Sequence, residues 1–161
     1  MPSPEPPAQS PKFRAPSLDD TSARIRDFLL ATLAVGMIGI GSELLLLGHF
    51  ESVQQWIPLA LLASGVVTLG WHAVSPSAAT VRALRAAMAL FVVSGAVGVW
   101  LHYQGNVEFE LEMYPSMVGL ELVRKTLTGA TPVLAPGSMT LLGLVGLTHL
   151  YRHPCVLQRG R

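Results

Sequence analysis

The stretch that decides the fold is AAMALFVVSGAVGVWLHYQGNV, residues 86–107, which contains no Asp, Glu, Lys or Arg. As an α-helix it would be about 33 Å long, slightly more than the roughly 30 Å hydrocarbon core of a bilayer. A second uncharged run covers residues 126–151, and residues 28–81 contain only two charged residues, Glu43 and Glu51. Uncharged apolar runs of about 18 residues or more predict transmembrane helices.

The overall composition supports the same assignment. The chain has 161 residues, of which 50% are hydrophobic and 13% are charged, whereas soluble domains carry about 25% charged residues. A soluble fold would have to bury nearly every helix on all sides, which a domain of this size cannot do. The single cysteine, Cys155, excludes an intrachain disulfide and a cysteine-based zinc motif. Phosphate-loop, zinc-protease and serine-hydrolase signatures are absent, and no basic patch with interleaved aromatic residues indicates nucleic-acid binding.

The hydropathy pattern predicts an all-α integral membrane protein with four spans in one transmembrane domain, residues 24–152. The predicted spans cover about residues 25–49, 56–74, 80–103 and 132–152. Between spans three and four, residues 115–129 repeat apolar side chains at helical spacing, which predicts a short amphipathic helix on the membrane surface. Small residues recur within the spans and favour close helix packing. We therefore expect an antiparallel four-helix bundle with one extracytoplasmic amphipathic helix.

The two ends of the chain and the basic residues predict the orientation. Residues 1–23 are rich in Pro and Ser, which predicts a disordered cytoplasmic tail, and residues 153–161 form a second tail. Only Arg124 and Lys125 fall on the opposite side of the predicted topology. The other nine basic residues are Lys12, Arg14, Arg24, Arg26, Arg82, Arg85, Arg152, Arg159 and Arg161. This bias predicts a multi-pass protein of the plasma (inner) membrane with both termini in the cytoplasm.

Histidines and acidic residues collect on the predicted outer side. His49 ends span one and His102 ends span three, and the alternating sequence EFELE follows at residues 108–112. Imidazoles together with carboxylates suit Zn, Mn or Fe, so this pattern predicts an extracytoplasmic site for a divalent cation. The candidate ligands are His49, Glu51, His102, Glu108, Glu110 and Glu112. The alternative interpretations are a solvated acidic loop and a surface for a basic partner.

The alternating acidic segment permits two geometries. In an extended segment, Glu108, Glu110 and Glu112 share one face. In a helix, Glu108 and Glu112 share a face and Glu110 does not. Asn106 would then be the N-cap of a new helix, and Gly105 is well placed to end span three. The sequence leaves the two geometries open.

Glu43 is the one carboxylate predicted to lie inside a span. An ionised carboxylate at that depth costs a few kcal/mol unless it is paired, so such residues are usually functional. We expect Glu43 to face another helix of the bundle. There it would act either in a proton or ion pathway, which would require an oligomer, or as a protonated group that bonds a neighbouring helix.

Each predicted span also has a histidine near one end. His49 and His102 fall on the outer side, and His72 and His149 fall on the cytoplasmic side. Histidines on facing helices are typical haem ligands, so two pairs would suit a haem b redox subunit. The weakness of this interpretation is that His49 and His102 lie at the very ends of their helices.

A further group of metal-binding residues follows the last span. His149 and His153 are four positions apart and could share a helix face, with Cys155 nearby. Pro154 intervenes, however, and terminal histidines are usually solvated. The sequence therefore gives only a weak indication of a metal site at this end.

Taken together, these features predict a small multi-pass membrane protein that is an accessory, assembly or transport-associated subunit rather than an enzyme. Its predicted cofactor is a divalent metal, with haem b as the alternative. Its predicted partners are the lipid bilayer and other membrane subunits or further copies of the same chain. No nucleic-acid partner is expected.

Overall fold

The computed structural model describes residues 17–129 and 131–157, and within these ranges every regular element is a helix. This confirms the predicted all-α class for the described part of the chain. The helices are α1 (Leu18–Leu46), α2 (Val53–Val74), α3 (Ala78–Met113), α4 (Gly119–Leu127), α5 (Gly137–His149) and α6 (Pro154–Leu157). Residues 1–16 of the predicted tail and residues 158–161 lie outside the described residues.

Three helices, α1, α2 and α3, are long enough and apolar enough to cross a membrane, which indicates a membrane protein. They pack with α5 around one core, in which α3 contacts both α2 and α5 and α1 contacts the same two helices. The largest buried core side chains are Phe91, Leu33, Met37, Leu84, Met88 and Leu150. Most other apolar side chains of α1, α2 and α3 face outward, as the lipid-facing surfaces of membrane helices do.

Helix α1 begins at Leu18, earlier than the predicted first span and within the predicted tail. The Ser17 side chain accepts from the Asp20 amide, and the Asp20 carboxylate accepts from the Ser17 amide. This reciprocal capping box and the acidic first turn stabilise the helix N-terminus. The helix ends at Leu46, and the chain turns at Gly48, whose φ is +66°. His49 therefore lies beyond the end of α1.

Helix α3 continues to Met113, past the predicted end of span three at Tyr103. Gly105 does not end the helix and Asn106 does not cap a new one, so both expectations were wrong. Residues 108–112 are helical, which settles the choice between the two geometries. The reason is tertiary, because α4 packs against this extension and the Asn106 side chain bonds the connection after α4.

Helix α4 lies within the predicted amphipathic segment. The apolar side chains Leu120 and Val123 are exposed, whereas Thr126 is buried against the neighbouring structure. An exposed apolar side of this kind is compatible with contact with lipid headgroups. Its position on a membrane surface stays a prediction.

The predicted fourth span is only partly helical. Helix α5 has 13 residues, about 20 Å, which is shorter than the bilayer core. Residues 131–136 precede it as turns and lie beside α3, where His102 Nδ1 is 3.0 Å from the Pro132 carbonyl oxygen. At the other end of α5, the Arg85 guanidinium donates to the Leu150 carbonyl at 3.3 Å.

Glycines bring the backbones of α3 and α5 close together. A Cβ atom at Gly143 would lie 2.6 Å from the Met88 carbonyl oxygen, and one at Gly95 would lie 2.5 Å from the Thr140 amide nitrogen. Only glycine tolerates such close backbone approach, as expected for helix packing in membranes. These contacts fix the register of α5 on α3, and that register positions the histidine at the end of α5.

Candidate metal centre

Three imidazoles converge at the end of the bundle where α2 and α5 terminate. His72 lies two residues before the end of α2, His149 is the last residue of α5, and His153 directly precedes α6. All three are buried, and one nitrogen from each ring lies within 4.8 Å of the others. Among residues 17–129 and 131–157, no other group of three His, Cys, Asp or Glu side chains converges in this way.

The His72 ring is held by Thr80, the third residue of α3. His72 Nδ1 lies 3.0 Å from Thr80 Oγ1. The Thr80 hydroxyl has a single proton, and the carbonyl oxygens of Ser77 and Ser75 lie 3.0 and 3.3 Å away to accept it. When the hydroxyl donates to a carbonyl, it accepts from the His72 Nδ1–H, and the Nε2 atom of His72 carries a lone pair. When the hydroxyl instead donates to Nδ1, the proton lies on Nε2, so only the first tautomer presents Nε2 to a metal ion.

The His149 ring is held in the same way by α1. Its Nδ1 lies 3.1 Å from the Arg26 carbonyl oxygen. A carbonyl can only accept, so Nδ1 of His149 carries the proton and Nε2 carries the lone pair. The Arg26 guanidinium in turn donates to the carbonyls of His149 and Tyr151, at 2.9 and 3.3 Å. These bonds tie the C-terminus of α5 to α1.

The Nε2 atoms of His72 and His149 face each other at a distance of 3.5 Å. With the His72 proton on Nε2, the contact is a long hydrogen bond to His149; with that proton on Nδ1, both Nε2 atoms offer lone pairs. Tetrahedral zinc with bonds of about 2.0–2.1 Å to histidine would hold two such nitrogens roughly 3.4 Å apart. The pair therefore has the spacing that a shared metal ion requires.

His153 completes the group from the segment after α5. Its ring centroid lies 5.0 Å from that of His72 and 5.8 Å from that of His149. Its Nδ1 accepts a long bond of 3.4 Å from the Cys155 amide. Burial, and secondarily the nearby His72, His149 and Arg26, lower the pKa of His153 to about 4. The ring is therefore neutral near pH 7, which is the form that binds metals.

Cys155 itself is half-buried and packs at the edge of the core. Its sulfur does not belong to the group whose ligand atoms lie within 4.8 Å of one another. The group would therefore offer a metal ion three nitrogen ligands, and a fourth coordination position would fall to water or another small ligand.

The residues predicted to form an outer metal site are not assembled. Glu108 and Glu112 share the exposed side of α3, whereas Glu110 is buried and Glu51 is exposed in the α1–α2 turn. In the described part of the chain, none of these carboxylates joins a group of three converging ligands. The physical reason is the continuous helix, which points Glu110 away from its two neighbours.

His49 and His102, the two outer histidines, lie near each other. Burial lowers the pKa of His49, and the His102 imidazole lowers it further. His102 is committed to the segment before α5 through its contact with the Pro132 carbonyl. Through this contact, His102 acts as a packing residue that supports the irregular backbone before α5.

The haem arrangement does not fit at the inner end. A haem would have to place its macrocycle between two axial nitrogens on opposite sides of the iron. The decisive feature is the His153 ring, whose centroid lies 5.0 Å from that of His72 and 5.8 Å from that of His149. This ring occupies space beside the two nitrogens that the surrounding macrocycle would need.

Glu43 does not face another helix, contrary to the expectation from sequence. Its side chain is exposed and lies three residues before the end of α1 at Leu46. Because α1 ends earlier than predicted, the carboxylate lies within one turn of the helix terminus. A carboxylate in that position can reach the membrane–water interface.

Sequence reasoning noted both halves of the inner group but did not combine them. Topology pairs His72 with His149, spacing pairs His149 with His153, and the intervening Pro154 makes the indication of a site weak. The chain reverses at Arg152, whose φ of 47° is in the left-handed region, and this turn returns His153 to the other two rings. No family model, curated protein or solved structure matches the chain.

Proposed function

We propose that the protein is a small membrane metal-binding protein whose centre is formed by His72, His149 and His153. The observation that carries this proposal is the 3.5 Å approach of two buried Nε2 atoms with a third buried imidazole beside them. A metal ion between the two nitrogens would bond both once the His72 proton lies on Nδ1. The proposal retains the divalent metal expected from the sequence but replaces the outer ligands with three inner histidines.

The ligand set favours a borderline transition metal. Imidazoles suit Zn, Cu, Fe and Ni, whereas Ca and Mg prefer oxygen ligands. Thr80 and the Arg26 carbonyl bond the distal nitrogens of two ligands. Such outer partners fix the tautomer and orientation of metal-binding histidines. We take zinc as the reference metal because its tetrahedral spacing agrees with the observed separation.

The fourth membrane crossing is part of the proposal. Residues 131–150 run antiparallel to α3. At the start of this segment Asn106 bonds Thr131, and at its end Arg85 bonds Leu150. The 22 residues of α3 from Arg85 to Asn106 correspond to about 33 Å, which matches the bilayer core. The irregular first part of this crossing, residues 131–136, is bonded by Asn106 and His102. Non-helical backbone at membrane depth needs such protein partners.

With four crossings, both ends of the described chain lie on one side. The basic residues near the start of α1, Arg24 and Arg26, and near the start of α3, Arg82 and Arg85, favour the cytoplasmic side for these ends. The three-histidine centre then lies at the cytoplasmic end of the bundle, and α4 lies on the outer surface. We propose a role as a metal-handling accessory subunit in the plasma membrane rather than as an enzyme.

Metal analysis of purified variants tests the proposal. Tag-free protein in detergent is loaded with Zn²⁺, desalted and analysed for zinc by mass spectrometry. We expect about one zinc per chain, and we expect His72→Ala and His149→Ala to lose it. The matched controls are His49→Ala and His102→Ala, which remove the outer histidines and should retain the metal.

Cobalt provides an independent readout of the ligands. Co²⁺ bound in a tetrahedral nitrogen site gives visible absorption bands, which should disappear in His72→Ala. Wild-type protein that retains no metal after loading would overturn the proposal. Loss of metal in His102→Ala alone would move the site to the outer face, and size-exclusion profiles identify any variant that fails to fold.

A further inference from the structure

The three ligands of the proposed centre are held very unequally. His72 and His149 lie on helices of the bundle, and each is oriented through Nδ1 by a residue of another helix. His153 lies beyond the last of these helices. Within the described residues, the one hydrogen bond of its imidazole comes from the Cys155 amide, two positions along the same segment, and its carbonyl accepts from the Val156 amide of that segment. The pair is therefore preorganised, and the third ligand is supplied by the chain end.

The bonds that hold the chain end stop just before His153. The Arg26 guanidinium donates to the carbonyls of His149 and Tyr151, and Arg85 donates to that of Leu150. These three carbonyls form the C-terminal end of α5, where guanidinium groups are favourable. The arginine bonds therefore keep α5 in place whether or not His153 stays near the other histidines.

The residue between the fixed end and His153 has an unfavourable backbone conformation. Arg152 has a φ of 47°, a region that residues with side chains rarely adopt. The turn at Arg152 brings the following segment back against α3, where Cys155 contacts the edge of the core. Burial of His153 and packing of Cys155 offset this unfavourable conformation, and a metal bond to His153 would add a further attraction that keeps the turn closed.

We infer that residues 153–157 form a C-terminal strap, which a bound metal ion fastens to the end of the bundle through His153. When the metal leaves, Arg152 relaxes and the strap detaches, while α5 stays fixed by Arg26 and Arg85. Binding or loss of the metal ion at the three-histidine centre thereby determines whether residues 153–157 are docked or exposed. This inference rests on the proposed function, because it requires the three-histidine metal site.

The single cysteine of the chain is a reporter on the strap. Cys155 is half-buried in the closed arrangement and would become exposed on release. The rate of its modification by a maleimide is measured on the full chain in detergent, with Zn²⁺ or with a chelator. With zinc well above its dissociation constant, we expect modification to slow by at least about tenfold.

Two variants separate strap closure from other causes. His153→Ala keeps Cys155 and the His72–His149 pair, so zinc should no longer slow modification. Protection that persists in His153→Ala would mean that zinc blocks the thiol directly and would overturn the inference. Arg152→Gly adopts the positive φ without strain, so protection should appear at lower zinc concentrations than in the wild type.

Zinc content is measured on the same samples. Bound zinc that depends on His72 and His149, together with equal Cys155 modification rates with and without zinc, would overturn the strap and leave the metal site standing. Absence of bound zinc would overturn the proposed function and the strap together. Trypsin cleavage after Arg152 gives a second readout, because release should expose this bond and zinc should protect it.

Discussion

His72 Nε2 and His149 Nε2 lie 3.5 Å apart, although the two residues are separated by 77 positions in the sequence. Each ring is turned towards the other because its Nδ1 is occupied, in one case by the Thr80 hydroxyl and in the other by the Arg26 carbonyl. The nitrogens that face each other are therefore selected by groups that lie behind the rings. This relationship makes the distal partners testable parts of the site.

The first prediction concerns the Thr80 hydroxyl. Thr80→Val removes the acceptor of the His72 Nδ1 proton, so His72 loses its fixed tautomer, and zinc affinity should fall by about 10–100-fold. Thr80→Ser keeps the hydroxyl and should restore the wild-type affinity. Competition with a coloured zinc chelator measures the affinity. Equal affinity of the Val and wild-type proteins would show that Thr80 does not orient the ligand.

The second prediction concerns the packing of α5 on α3. A Cβ atom at Gly143 would lie 2.6 Å from the Met88 carbonyl oxygen, so Gly143→Ala must displace backbone. We expect a loss of about 1–3 kcal/mol in the free energy of unfolding, together with weaker zinc binding because His149 moves with α5. The control is Gly39→Ala, where a Cβ meets no atom within 4 Å. Thermal unfolding in detergent measures the stability of the two variants. Equal stability of Gly143→Ala and Gly39→Ala would contradict the packing argument.

The third prediction concerns Asn106 at the opposite end of the bundle. Its side chain donates to the carbonyls of Thr126 and Thr131 and accepts from the Thr131 amide. Asn106→Ala leaves these groups without their partner, and each buried group left unpaired costs about 1–3 kcal/mol. We expect faster hydrogen exchange at the Thr131 amide and a lower unfolding temperature.

Gln104→Ala, an exposed position on the same helix, is the control for Asn106→Ala. It should leave both quantities unchanged. If amide exchange around Thr131 were the same in Asn106→Ala and Gln104→Ala, the irregular segment before α5 would not depend on Asn106.

The fourth prediction concerns Glu43. Because its carboxylate is exposed in the last turn of α1, Glu43→Gln should change the free energy of unfolding by less than about 0.5 kcal/mol. A carboxylate near a helix C-terminus is mildly unfavourable, so any change should be towards greater stability. The midpoint of thermal unfolding is the measurement. A clear loss of stability would instead indicate that the carboxylate has a partner, as the sequence expectation required.

The boundaries of the helices show where sequence reasoning stopped. Helix α2 contains the whole of the predicted second span, because its apolar run lies between polar turns. Helix α3 passes through Gly105 and Asn106 because α4 and the following segment bond and cover its extension. Local signals for a helix end were present in the sequence, and contacts made some 20 residues later outweighed them.

The candidate site was predictable in its parts only. The sequence placed His72 and His149 at one side of the membrane and noted the spacing of His149 and His153. It also favoured the outer acids, because imidazoles and carboxylates are close together in sequence there. The continuous helix through residues 108–112 separates those acids, whereas the turn at Arg152 brings His153 to the inner pair.

The sequence by itself determined that this is a helical membrane protein. Long uncharged runs are stable in lipid only when the backbone satisfies its own hydrogen bonds, and a single helix does so without any other part of the chain. Only the tertiary structure decided which histidines meet. That outcome depends on the register of α5, set by glycine contacts with α3, and on bonds between Arg26 and residues more than 120 positions away. Such long-range contacts leave no periodic signal in the sequence.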